Sequence, residues 1–262
     1  MKAYIYANTT KETNDIVQVL TNSLENCGHS ITDLKKADII FCVGGDGTLL
    51  NLMQEKQFPT IPIVGVNTGH LGFFQEVQSD EILDFLKEYE EGKYSVLPYN
   101  IARAEIVHKD GTTVHRALNE FVIKGETNHS VHLDISINDS FIEKFSGDGI
   151  LVATPAGSTA YNYSLGGSLV DPRINILQVT PIAPMNTTAY RSLTSSLLIP
   201  AHVKIVIEPS DERSKTLSVL FDSINLTYEG IEKISLTLSN RKIQLVHRSN
   251  QTFWNRVKDK FL

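Results

Sequence analysis

Apolar positions in the first part of the chain alternate between two periods. Residues 2–7 alternate like a half-buried strand, and residues 10–27 carry Ile16, Val17, Leu20 and Leu24 at helical spacing before a stop at Gly28. That is one β-α unit. Residues 39–43, Ile-Ile-Phe-Cys-Val, form an unbroken apolar run suited to a strand buried on both faces. Leu49, Leu52 and Met53 then predict a helix over 48–57, and a third apolar strand is predicted over 61–66. Residues 80–92 read as an amphipathic helix with Ile82, Leu83, Phe85 and Leu86 inward. Strands alternating with helices predict an α/β domain with a parallel, Rossmann-like sheet over residues 1–98.

From Tyr94 the helical period disappears. Short strands are predicted over 101–107, 114–123, 131–137 and 141–145, separated by turn pairs such as Asp110-Gly111 and Asn138-Asp139. Further strands are predicted over 203–207, 217–221, 224–228, 234–238 and 243–246, with no internal repeat. This spacing predicts an all-β, sandwich-like second domain over 99–247, starting near Pro98. In the tail, Phe253, Trp254, Val257 and Phe261 share one helical stripe, so residues 248–262 are expected to pack back on the first domain.

Composition narrows the function more than the fold. With 262 residues, 41% hydrophobic and 21% charged, the chain has room for one large or two ordinary globular domains. A net charge of −6 disfavours nucleic-acid and membrane-surface partners and points to a small-molecule substrate. Cys27 and Cys42 are the only cysteines, and Cys42 falls inside a strand predicted to be buried. A reduced, cytoplasmic protein is expected, without a disulfide framework, signal segment or membrane span.

The candidate chemistry begins where the strand over 39–43 ends. Gly44, Gly45 and Gly47 let the backbone turn through positive φ and approach a ligand closely, and the following helix offers N–H groups to an anion. A phosphate chain is the expected ligand. A second loop, Asn-Thr-Gly-His-Leu-Gly-Phe-Phe over 67–74, should emerge at the same sheet edge and share one cleft with the first. Asp46 is the unusual residue, because a carboxylate about 4 Å from a phosphate is repelled by roughly 4 kcal/mol at intermediate dielectric. Either a divalent cation lies between them, or the carboxylate takes a proton from a hydroxyl that attacks phosphorus. The alternative is an Asp-Gly turn in which Asp46 bonds only backbone amides. The loop is neither Gly-x-Gly-x-x-Gly nor a Walker A sequence. The eight histidines form no zinc-type pair, and His70 reads as a loop histidine bonding backbone. Among Lys35, Lys36, Lys56 and Arg103 no spacing singles out a phosphate clamp.

Asn119 and Glu120 interrupt an apolar strand between Leu118 and Phe121, where an unpaired carboxylate is costly. They bind a ligand or form a paired structural group. A second glycine-rich block runs over 147–167 and includes Gly147-Asp148-Gly149 and Gly157-Ser158-Thr159-Ala160-Tyr161. Its hydroxyls and backbone suit a polar pocket capped by Tyr161.

Together with Gly44-Gly45-Asp46-Gly47, the 67–73 loop and Asn119-Glu120, in this order, that block resembles the NAD kinase family over nearly the whole chain. The resemblance implies ATP-dependent phosphorylation of the 2′-hydroxyl of the adenosine ribose of NAD, giving NADP and ADP, with a divalent cation, usually magnesium. Asp46 would be the general base, with Gly44, Gly45 and Gly47 around the phosphates. Asp46, Gly47, Phe73, Asn119 and Glu120 would contact NAD. The same likeness puts Ser158, Thr159, Ala160 and Tyr161 toward adenine, Asp148, Ser164 and Ala183 toward nicotinamide, and Asn162 among the NAD contacts. Ser146 is matched to an NAD contact that many members make with a basic residue, and Ser223 stands where some have histidine. The metal ligands stay unassigned. Members are homo-oligomers, commonly tetramers, so NAD sites built from two subunits are expected, with Asp46 and Asn119 from one chain and Asp148 from its neighbour. A lipid or sugar kinase of the same superfamily would use the first loop alone. A catalytically silent NAD(P)-binding regulator would leave Asp46 unexplained.

Overall fold

The computed structural model describes residues 1–69, 72–126, 129–188, 191–248 and 252–262. By internal contacts the chain forms two compact units, residues 1–99 with 242–262, and residues 100–241.

In the first unit, β1 (Lys2–Ala7) leads to α1 (Lys11–Asn26), whose Thr10 cap accepts the Thr13 N–H at 3.2 Å. Next come β2 (Ser30–Ile31), β3 (Ile39–Val43), α2 (Asp46–Glu55), β4 (Pro62–Asn67), β5 (Val77–Gln78) and α3 (Ile82–Glu90). The pairs β2-β1, β1-β3, β3-β4 and β4-β5 are all parallel, as the alternation of strands and helices predicts. β3 is buried along its whole length, and Phe41, Val43, Val64, Leu20, Leu24, Phe85 and Leu86 share one core. Burial pushes the Cys42 thiol up to about 12, so it packs as an apolar group. Asp80 falls in a 3-10 turn, Ser79–Glu81, that precedes α3. α2 starts two residues before its predicted start. Gly45 is extended at the cap, and Asp46 enters the first turn, where free N–H groups favour a carboxylate.

β6 (Tyr94–His108) runs from the first unit into the second. There follow β7 (Gly111–Ala117), β8 (Glu120–Gly125), β9 (Val131–Ile137), β10 (Ser140–Gly147), β11 (Gly149–Ala153), α4 (Tyr161–Ser164), β12 (Ile176–Ile182), β13 (Leu197–Pro200), β14 (Ile205–Pro209), β15 (Leu217–Phe221) and β16 (Ile224–Tyr228). β17 (Lys233–Arg248) returns to the first unit, and α5 (Phe253–Phe261) ends the chain there. Strands β13-β12-β11-β8-β15-β16 form an antiparallel sheet, while β10-β9-β14-β17 pair antiparallel in a second set. Phe121, Val152 and Val219 of the first and Leu133, Ile207 and Leu236 of the second enclose a single core. That is the sandwich the turn spacing predicts.

Several boundaries differ from the sequence reading, among them the start of the strand predicted over 101–107, which begins at Tyr94. The strand predicted over 114–123 is two strands, because the chain breaks at Leu118-Asn119, whose amides turn to a side chain. The strands predicted over 234–238 and 243–246 are one, β17. β12 and β13 were not predicted: Gln178, Thr180 and Pro181 hide the first, and the second has only four residues. No helix among the described residues is long and apolar enough to cross a membrane.

Candidate active site

β1 lies between β2 and β3, so the chain reverses direction across the sheet at β1 and β3, where ligands of open parallel sheets bind. Asn8, just after β1, ties that strand's loop to the first turn of α2, its Nδ2 donating to Thr48 Oγ1 at 2.7 Å. Gly44 takes φ +148°, and a β-carbon there would lie 2.2 Å from Thr48 Oγ1. Only glycine fits. Gly45 and Gly47 do not need positive φ, contrary to the expectation for all three glycines, but each faces open space where a ligand can approach the backbone.

Asp46 joins the two loops. Its Oδ2 accepts the Phe73 N–H and its Oδ1 the Phe74 N–H, each at 3.0 Å. Gly72 makes room, since a β-carbon there would come within 2.2 Å of Asp46 Oδ1. The turn reading expected amide partners for Asp46, and it has them, but they come from the second predicted loop. Each carboxylate oxygen keeps a further lone pair. Asn67 is buried, donating to the Gly69 carbonyl at 2.6 Å and to Gln78 Oε1 at 2.9 Å. His70 and Leu71 lie outside the described residues. Lys56 sits beside Glu55 and over the Tyr6 ring, and Arg103 pairs with Glu105 at 2.8 Å, so neither is set apart as a phosphate clamp.

In the second unit, Asn119 and Glu120 stand where β8 begins, both buried. Asp222, at φ +50° between β15 and β16, accepts the amides of Leu118 at 2.9 Å and Asn119 at 2.8 Å. Thr154 completes the frame: its amide donates to the Asn119 carbonyl at 2.8 Å and its hydroxyl to the Leu118 carbonyl at 2.5 Å. The side chains at the centre stay unsatisfied. Among the described residues, Asn119 Oδ1 and Glu120 Oε2 are buried without a hydrogen-bond partner. Burial, reinforced by the charge of Asp222, pushes the Glu120 carboxyl up to about 8.

The second glycine-rich block divides into held and displayed residues. Ser158 is buried, its Oγ donating to the Val170 carbonyl at 3.2 Å and accepting the Val170 amide at 3.0 Å. Asn162 is fully buried, with its Oδ1 accepting from Thr180 at 2.7 Å. Both hold the loop in shape. Thr159 and Ala160 are half-buried between them, while Tyr161 (39%) and Ser164 are exposed, so Tyr161 is a displayed ring rather than a buried cap. Asp148 and Ala183 are exposed neighbours across the β11-β12 pair, the Asp148 amide donating to the Ile182 carbonyl at 3.0 Å. Ser146 is fully buried, with its Oγ directed at Met185 Sδ at 3.6 Å.

Sequence reasoning gave no role to several polar residues of the two sites. Asp222 lies about a hundred residues from the amides it holds, and nothing local marks it. Gln75 and Glu76 are buried side by side just after Phe74, a polar break in an apolar run that could have been flagged. Arg256 sits within the apolar stripe of α5 and is buried, whereas Trp254, assigned to that stripe, is 49% exposed.

The sequence profile of the ATP-NAD kinase N-terminal domain matches residues 7–94, and that of the ATP-NAD kinase C-terminal domain matches residues 118–248. An NAD kinase from Finegoldia magna is 37% identical, covering 98% of this chain and 97% of its own; one from Streptococcus gordonii is 38% identical, covering 100% and 95%. The chain belongs to the NAD kinase family. The fold agrees: yeast NADH kinase, solved with NADH, superposes with a TM-score of 0.85 at 21% identity over 100% of this chain and 87% of the other. An Archaeoglobus fulgidus NAD kinase, solved with ATP, does so at 0.78 and 22% identity over 99% and 98%. The N-terminal NAD kinase profile spans Asp46 and Phe73, and the C-terminal one spans Asn119, Glu120, Asp148, Tyr161 and Asp222. Residues 249–262, with Arg256, lie beyond both NAD kinase profiles.

Proposed function

We infer that the chain is an ATP-dependent NAD kinase in which Asp46 is the general base and Glu120 with Asn119 holds NAD. The 2′-hydroxyl of the adenosine ribose gives its proton to Asp46 as its oxygen bonds the γ-phosphorus of ATP. The bond from that phosphorus to the β-phosphate oxygen breaks, releasing ADP and NADP. The observation that carries this reading is Asp46 itself, aimed by two backbone amides at the mouth of a glycine loop in a chain of this family. Gly44, Gly45 and Gly47 give the triphosphate its close approach, and Phe73 backs the loop. The unsatisfied oxygens of Asn119 and Glu120 are acceptors for ribose and adenine donors. Thr159, Ala160 and Tyr161 supply the adenine side, with Ser158 and Asn162 shaping their loop. Asp148, Ser164 and Ala183 serve the nicotinamide side, and Ser146 supports that turn.

Among the described residues no group of three or more His, Cys, Asp or Glu could hold a metal by itself. Magnesium suits such a site, since it is bound through substrate phosphates and one or two carboxylates, here Asp46, and it neutralises phosphate charge. The reading includes a homo-oligomer, with a tetramer as the expected size, in the cytoplasm. Light scattering tests the assembly, and refolded mixtures of Asp46→Asn and Asp148→Ala chains test whether subunits share sites by regaining activity.

Purified protein with magnesium ATP and NAD should form NADP and ADP in equal amounts. Hydrolysis of ATP without NADP, or phosphorylation of a lipid or sugar in its place, overturns the assignment.

A further inference from the structure

α5 buries a cation on its apolar face. Arg256 is 3% exposed, and Glu76, its partner, 2%. The Arg256 guanidinium makes two contacts: Nη2 pairs with Glu76 Oε2, and Nη1 donates to the Phe73 carbonyl at 2.6 Å. The second contact is the informative one. The carbonyl of Phe73 and the amide N–H of Phe74 belong to the same peptide plane, and that N–H is the one held by Asp46 Oδ1. A single rigid peptide therefore has a buried cation on one end and the proposed base on the other. Its tilt is the tilt of Asp46's donor. A cation on the carbonyl also polarises the amide and strengthens the bond its N–H makes.

The remainder of the cluster keeps Arg256 in place. Glu76 Oε1 accepts the Arg248 amide at 2.7 Å, and its Oε2 lies 3.1 Å from His247 Nδ1. His247 Nε2 is 3.3 Å from the Tyr99 hydroxyl. On the other side, the Phe73 ring packs on Phe253 and Phe261 of α5, at centroid distances of 6.4 and 5.6 Å, with Lys260 over its face. Docking of α5 alone would need only the apolar contacts and the pair with Glu76. The bond to Phe73 adds a link to the site.

We propose that Arg256 is a positioning residue for phosphoryl transfer: through the 73–74 peptide it sets the orientation of the Asp46 carboxylate without touching substrate. The proposal rests on the reading of Asp46 as the base.

The test uses the full-length protein with magnesium ATP and NAD, comparing wild type, Arg256→Lys, Arg256→Ala, Asp46→Asn and the double variant Asp46→Asn with Arg256→Lys. Lysine keeps the charge beside Glu76 but lacks the planar fork that reaches both acceptors. Misplacement of a reacting group by about 1 Å can cost 10²-fold, so kcat should fall about 10-fold in Arg256→Lys and up to about 10²-fold in Arg256→Ala. The KM for NAD should stay within about two-fold, because binding is not the property removed. In the Asp46→Asn background, Arg256→Lys should change the residual rate less than about two-fold, since residues acting through one element are not additive. Hydrogen exchange at the Phe74 amide should quicken in both single variants at Arg256. If Arg256→Ala does not fold, the lysine variant decides. Equal losses from Arg256→Lys in both backgrounds, or wild-type kcat in that variant beside a slow Asp46→Asn, overturn the proposal and leave Asp46 as the base. Wild-type turnover by Asp46→Asn removes the base reading, and this proposal with it.

Discussion

Two aspartates, one in each unit, clasp a pair of consecutive backbone amides, yet the surroundings give them different uses. Asp46 takes the amides of Phe73 and Phe74 beside glycines that open onto free space. Asp222 takes those of Leu118 and Asn119 inside a frame closed by Thr154, and beside it Glu120 is buried with no partner for Oε2 among the described residues. On the function proposed above, the clasped carboxylate of the first unit is itself the reacting group, whereas that of the second is scaffolding for an unsatisfied neighbour that holds the ligand. The same local bond pattern thus does not identify a functional acid; the accessible lone pairs do.

The largest effect expected from breaking this contrast is on turnover. Asp46→Asn removes the proton acceptor and should lower kcat by about 10²-fold or more. It also sets an amide NH₂ against one of the two backbone N–H groups, so exchange at Phe73 or Phe74 should speed up. A kcat near wild type, with normal magnesium dependence, would reduce Asp46 to a loop tie.

Asp222→Asn should act on binding. It leaves one of the Leu118 and Asn119 amides without a good acceptor, at about 1–3 kcal/mol, and the start of β8 loosens. The KM for NAD should rise about 10-fold, with kcat changed less. A fall in kcat alone would contradict the scaffold role.

A smaller effect concerns stability against pH. The Glu120 carboxyl is raised from 4.5 to about 8, chiefly by burial. Between those values the folded state holds a proton that the unfolded state has lost, so this group's contribution to stability falls as pH rises through the window. Glu120→Gln lacks that dependence. Its melting temperature relative to wild type should climb steadily from about pH 5 to pH 8. A constant difference would mean that Glu120 is ordinarily solvated.

The legible parts of the molecule were those whose physics is local. β1, β3, β15 and β16 were read with their observed ends, since uninterrupted apolar or alternating runs mark strands directly. The glycine loop announced itself by composition. β12 was not legible, because Gln178 and Thr180 point into buried hydrogen bonds and break the apolar pattern. The break between β7 and β8 was hidden for a different reason: the side chain that causes it, Asp222, is contributed by a distant turn. Arg256 escaped notice because helical periodicity groups residues by face, and a cation on an apolar face is visible only once its acceptors are placed.

The contrast between the two carboxylates is tested most directly by titrating NAD into wild type, Asp46→Asn and Glu120→Gln. The dissociation constant for NAD should stay within about two-fold in Asp46→Asn, because the base contributes to the transition state. It should rise about 10-fold in Glu120→Gln, which sets an NH₂ donor where a carboxyl oxygen accepted and leaves a ligand hydroxyl unpaired, at about 1–3 kcal/mol. Strong loss of NAD affinity in Asp46→Asn with none in Glu120→Gln would reverse the two roles and contradict the account.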